Sequence, residues 1–344
     1  MNLSNMIYIA LIVVLIIQYM IYTEPKWKRI TYVFLWLVLS IVIAFREHRM
    51  ADYIGYMNSY KSIGHYSSRY EPLFYSIGVL CKNFDFDFLS YLFVIGLISC
   101  FVKLLAIKKL SKFATASVII WLADLFVLQD MIAIRAALAQ GILLLSVYYR
   151  VEKKYLLTTI LAITSIGFHY SSAAFIPFFI LSNKKDFRWL YLILIPLSYI
   201  FVLYSGHSLY YLVDFISIMQ LQDLNDMYSS ATTELNIFNL YNLSKTLICI
   251  LLWSKIDTIK EHNKYSVILL KLYTIGCICV PLFYEKISVA TRFSELFCVT
   301  EIILFPLIIY CFPNFFTNIG LRKFLFVVIS VVLSWIVYTE YMTF

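Results

Sequence analysis

The chain has 344 residues, 62% of them hydrophobic and 14% charged, with a net charge of +8 and a mean hydropathy of +0.83. Soluble domains carry about 25% charged residues, and repeated apolar runs of roughly 17–22 residues fit helices that cross a bilayer. A nucleic-acid binder is excluded as well, because the basic residues sit in short connectors between apolar runs, where membrane topology accounts for them.

The predicted fold is all-α: a polytopic transmembrane bundle of about 11–12 spans in a single embedded domain, residues 1–344, with short or re-entrant helices near the outer face. The first span runs from Met6 to Ile21. No basic residue precedes it and no small-residue cleavage site follows, so it reads as a span and not as a removed signal peptide. After a basic connector with Trp27 at the interface, the second span covers about Ile30 to Ala44. A long charged and tyrosine-rich loop, about 45–71, follows, and its aromatic content argues for an ordered, functional segment. Pro72 suits the first turn of a helix, and the run to Cys81 is too short to cross, which predicts an interfacial or re-entrant helix.

Further spans are predicted over about Phe88 to Ile107, Thr115 to Gln129, and on to Tyr149 after a turn at Asp130-Met131. Two short apolar runs, Tyr155–Phe168 and Ser172–Leu181, meet at the polar break His169-Tyr170-Ser171, an arrangement tolerated where it lines a cavity. The next span, Leu190 to Tyr204, leads into a second long loop, about 205–239, which has Asp214, Asp223, Asp226 and Glu234 but no Lys or Arg. The last spans are Leu240–Trp253, Val267–Phe283, Phe293–Phe312 and Phe324–Tyr338. With the 72–81 helix not crossing, the basic connectors all fall on one face, which the positive-inside rule makes cytoplasmic. The 45–71 loop, Asp130, Arg135, His169, the acidic loop and Glu285–Arg292 then share the outer face, as do both chain ends. The seven cysteines lie in or beside apolar segments and read as small core residues, with no disulfide framework and no metal site expected.

Charges at the outer face are the candidates for chemistry. Arg46 and Arg49, with Asp52 just beyond, form a cluster suited to clamping phosphate or pyrophosphate, or they snorkel to the interface. Arg135 lies one turn inside a span among alanines, where an ionisable residue is a functional candidate by default; the structural alternative is an ion pair with Asp130 or Asp124. His169, at the helix break, is a candidate base or a hydrogen-bonded structural residue. Glu71 is a second candidate base, and Arg292 begins a late span three residues before Glu295, a ready ion-pair partner. Tyrosines 53, 56, 60, 66 and 70 in the first loop, and Tyr210, Tyr211 and Tyr228 in the second, read as an aromatic belt, some of them able to stack on sugar rings.

Taken in order, Phe45-Arg46, Asp52-Tyr53 with Tyr56, Glu71-Pro72, Ile134-Arg135-Ala136-Ala137-Leu138-Ala139, Phe168-His169-Tyr170-Ser171-Ser172 and Arg292-Phe293 resemble the EpsG family, a branch of Wzy-type polysaccharide polymerases. The pattern departs from the family at Met50-Ala51, where the family usually has a glycine shortly before the aspartate. The resemblance implies a glycosyltransferase of the bacterial cytoplasmic membrane, working at the outer face to build capsule, exopolysaccharide or O-antigen. It would move a growing glycan from undecaprenyl pyrophosphate onto a lipid-linked repeat unit. It implies Arg135 and Arg292, assisted by Arg46 and Arg49, on the pyrophosphate, His169, Glu71 or Asp52 as base, and Tyr53, Tyr56 and Tyr170 on sugar. No cofactor is implied. The partners would be the lipid-linked oligosaccharide, the bilayer, a flippase and a chain-length regulator. The competing classes are a lipid-linked glycan flippase or exporter, a membrane acyltransferase acting on surface glycans, and a structural member of a biosynthetic complex.

Overall fold

The computed structural model describes residues 3–21, 29–50, 52–64, 70–209, 235–312 and 319–341. All regular structure among them is helical. Five helical stretches are long and apolar enough to cross a membrane: Phe88–Leu110, Ala114–Ile132, Ile134–Val151, Arg188–Ser205 and Val289–Tyr310. Shorter apolar helices cover Met6–Ile21, Arg29–Ala44, Tyr155–Phe168, Leu240–Ser254, Ser266–Leu282 and Lys323–Val332. The protein is therefore a multi-pass helical membrane protein. The chain folds as two compact units, residues 1–179 with 301–344, and residues 180–300.

In the first unit the helices are α1 (Leu3–Ile21), α2 (Arg29–Ala44), α3 (Tyr53–Lys61), α4 (Pro72–Asn83), α5 (Phe88–Leu110), α6 (Ala114–Ile120), α7 (Ile134–Val151) and α8 (Tyr155–Phe168), joined from the end of the chain by Glu301–Leu304, the 3₁₀ segment Phe305–Tyr310 and the helix Ile319–Tyr341. Helix α6 continues as a π-helix, Trp121–Ile132, and α8 is followed by a 3₁₀ segment, Tyr170–Ile180. Pro72 occupies the first turn of α4, and Asp87 caps α5 by accepting a hydrogen bond from the Ser90 amide at 2.8 Å. The α6–π-helix span is the centre of this unit, with every residue except its terminal Ala114 and Ile132 buried. Helices α1, α5 and α7 and the helix Ile319–Tyr341 pack around it.

Burial of that span includes Asp130, which the sequence places at an outer turn. The turn instead falls at Ala133, and Asp130 lies inside the π-helix with no side-chain exposure. Its carboxylate accepts hydrogen bonds from Lys103 Nζ (2.6 Å), Ser99 Oγ (2.6 Å) and Trp121 Nε1 (2.9 Å). Lys103 is equally buried, and the two opposite charges remove the cost that would hold either at the interface. The Lys103 stem runs across Gly141 of α7, where an added Cβ would stand 3.0 Å from Lys103 Cγ. Lys103→Met strands the Asp130 charge and is expected to destabilise the fold by about 3–5 kcal/mol. Thermal denaturation of the detergent-solubilised protein reads the loss, and adding Asp130→Asn should restore much of it.

The first loop is not extended. Residues Tyr53–Lys61 form α3, and Tyr53, Tyr56 and Tyr60 turn inward onto Phe74, Phe88 and Tyr91. Tyr60 stacks on Tyr91 with ring centres 4.5 Å apart and donates its hydroxyl to the Phe86 carbonyl at 2.7 Å. These tyrosines are thus a packed aromatic core that fastens this loop to α4 and α5. Arg69 and Tyr66 lie outside the described residues.

In the second unit the helices are α9 (Arg188–Ser205), α10 (Leu240–Ser254), α11 (Ile256–His262), α12 (Ser266–Leu282) and α13 (Ile287–Cys298). Tyr191 of α9 stacks on Trp253 of α10 at 4.9 Å, and Trp253 Nε1 donates to Thr274 of α12 at 2.7 Å. Asp186 and Asp257 share Arg188 and Lys260 in a network at the α9 and α11 ends. The acidic residues and tyrosines of the 210–234 segment lie outside the described residues. Both ends of that segment are tied to one place: the Leu209 amide donates to Leu282 O and the Leu235 amide to Tyr284 O. Every cysteine of the chain is buried, as the reading of them as small core residues expects.

Candidate active site

The site is assembled at the ends of four helices of the first unit. Glu71 immediately precedes α4, and its carboxylate is buried. Arg135 is in the first turn of α7, directly after the turn that ends the π-helix. His169 is the residue at which α8 stops and the 3₁₀ segment begins. Arg46 leaves the end of α2.

Glu71 joins the other elements. Its Oε2 accepts from Arg135 Nη1 at 2.8 Å, and its Oε1 lies 3.0 Å from His169 Nδ1. The Tyr170 backbone amide also donates to Oε1, at 3.3 Å. Burial alone would raise the Glu71 pKa, but the His169 hydrogen bond and the Arg135 charge outweigh it and hold the carboxyl down to about 2. An ionised Glu71 accepts only, so the His169 proton sits on Nδ1 and Nε2 is the basic nitrogen.

The two arginines are set beside Tyr56. Arg46 Cζ lies 5.8 Å and Arg135 Cζ 5.9 Å from its ring centre. Arg135 is also 4.5 Å from the Tyr70 ring, and Arg46 5.4 Å from Tyr53. Arg46 is 2% exposed and donates Nη1 to the Met131 carbonyl at 2.6 Å, capping the C-terminal end of the π-helix. Burial lowers its pKa to about 10, so it stays charged at neutral pH. Its Nε and Nη2, and Nε of Arg135, are buried with no hydrogen-bond acceptor among the described residues. Buried unsatisfied donors cost about 1–3 kcal/mol each, more when charged, so these atoms would gain from an acceptor brought to them.

Of the residues singled out from the sequence, Glu71, His169, Arg135 and Arg46 come together here. The Arg135 partner is Glu71, in place of Asp130 or Asp124. Asp52 stands before α3 with a left-handed backbone, φ 64°, and an exposed side chain that makes no capping hydrogen bond. Arg49 is exposed. Tyr53 and Tyr56 are buried against the arginines and the aromatic core, whereas Tyr170 is 42% exposed. Arg292 is half-buried in α13 and belongs to the second unit. No group of three or more His, Cys, Asp or Glu among the described residues is placed to hold a metal. Sequence reasoning missed Lys103, because its acidic partner lies on another span and each charge taken alone suits an interface position.

The EpsG family model matches residues 29–343. The chain belongs to the EpsG family. The amylovoran biosynthesis protein AmsC of Erwinia amylovora is 25% identical over 281 residues, 79% of this chain and 72% of that protein. No solved structure matches the chain. Within this EpsG-family chain the matched stretch takes in Arg46, Glu71, Arg135 and His169.

Proposed function

We propose that this protein is a polysaccharide polymerase that transfers a growing glycan from undecaprenyl pyrophosphate to a hydroxyl of a lipid-linked repeat unit, at the outer face of the bacterial cytoplasmic membrane. The observation that carries this reading is the Glu71 carboxylate shared between His169 Nδ1 and Arg135 Nη1, with unmet guanidinium donors alongside. The acceptor oxygen attacks the anomeric carbon, and the bond from that carbon to the pyrophosphate oxygen breaks. His169 Nε2 takes the hydroxyl proton. The departing pyrophosphate carries the developing negative charge, which the free donors of Arg135 and Arg46 stabilise.

Glu71 is a positioning residue in this scheme. Its depressed pKa makes it a poor base, but its fixed charge selects the His169 tautomer and holds Arg135 in place. The exposed Tyr170 ring offers a stacking face for the sugar. A strain lacking the protein should accumulate single repeat units on the lipid carrier while long polymer disappears. Accumulation of nothing on the carrier, or normal polymer, would count against the assignment.

A further inference from the structure

Glu71 and His169 come from helices α4 and α8, so their contact depends on how closely those helices approach. One glycine controls that approach. A Cβ added at Gly167, in the last turn of α8, would lie 2.6 Å from Leu73 Cδ1, 2.7 Å from Leu73 Cγ and 3.5 Å from Leu73 Cβ. Leu73 sits in the first turn of α4, just after Glu71, and Gly167 sits just before His169. The Leu73 side chain therefore occupies the space that any other residue at 167 would fill. Glycine is less favourable than alanine inside a helix, and small residues are what let membrane helices come together.

We infer that Gly167 and Leu73 form a notch and key that set the Glu71–His169 spacing, which makes Gly167 a positioning residue for the base. A larger residue at 167 pushes α4 off the end of α8, and Oε1 of Glu71 leaves Nδ1 of His169. The consequence for activity rests on the polymerase reading above; the consequence for the hydrogen bond does not.

The test uses Gly167→Val, Leu73→Ala and the double variant in full-length protein, each measured in two ways. The first is polymer synthesis in membranes; the second is the imidazole nitrogen spectrum of histidine-labelled protein in lipid nanodiscs, with the His169 signal assigned by its loss in His169→Ala. Gly167→Val should lose the Nδ1–H tautomer signature and on the order of 10²-fold in rate. Leu73→Ala alone, which empties the notch, should weaken both far less than Gly167→Val does, and adding it to Gly167→Val should bring both back to the Leu73→Ala level. Gly167→Ala, which adds one carbon, replaces valine under the same criteria if the valine variant fails to accumulate. An unchanged His169 signal in the glycine variant, or no rescue by Leu73→Ala, overturns the inference. A lost signal with full activity keeps the notch and removes His169 from the chemistry.

Discussion

His169→Ala is expected to lower polymer synthesis by a factor on the order of 10²–10⁴, the usual contribution of a positioned base, with lipid-linked substrate still bound. The wild-type rate should fall on acidification as the imidazole becomes protonated and can no longer act as base, and the variant should lack that limb. Glu71 does not produce such a limb. Its carboxyl is held down to about 2, below the ordinary carboxylate value. What its ionisation contributes to stability is therefore fully present above the ordinary carboxylate pKa and is lost only as pH falls through about 2. Across the neutral and mildly acidic range Glu71 stays charged, and only the imidazole changes state. A variant that keeps most of its activity, with the acid limb intact, would show that His169 is no more than the hydrogen-bonded end of α8.

Arg135→Lys should be nearly as damaging, with polymer lost by about 10²-fold or more and protein level unchanged. Lysine keeps the positive charge and can still reach a carboxylate. It lacks the planar fork that binds Glu71 through Nη1 while Nε remains for a phosphate oxygen. Because the Arg135 guanidinium also lies on the Tyr70 ring, the substitution removes stacking as well as a donor. Near-normal polymer from Arg135→Lys would reduce the residue to a simple counter-charge for Glu71.

The helical, membrane-embedded architecture was legible in the sequence because apolar runs and basic connectors are local signals. So was the break at His169, where one helix stops and a 3₁₀ segment starts. Glu71, Arg135 and His169 each stood out as a polar residue in a place that disfavours one. Their pairing did not. Glu71 and Arg135 are 64 residues apart and Glu71 and His169 are 98 apart, and no spacing rule relates residues on different helices across such distances. The same limit hid the Lys103–Asp130 pair, since each charge taken alone argues for an interface position. The loop tyrosines were read as a surface belt because their composition matches one. Only the turn of α3 shows that Tyr53, Tyr56 and Tyr60 face a shared core. The Gly167 notch was invisible for a related reason: a glycine near a helix end reads as a terminator until the leucine filling its space is seen.

The most direct test places the purified protein in liposomes with lipid-linked repeat units isolated from a strain that lacks it. Glycan length and free undecaprenyl pyrophosphate are then measured together. The account predicts that glycans lengthen and that each new linkage releases one undecaprenyl pyrophosphate, with both products lost in His169→Ala and in Arg135→Lys. Movement of the repeat units across the bilayer with no release of undecaprenyl pyrophosphate would contradict it, and would mark the protein as a carrier of lipid-linked glycans.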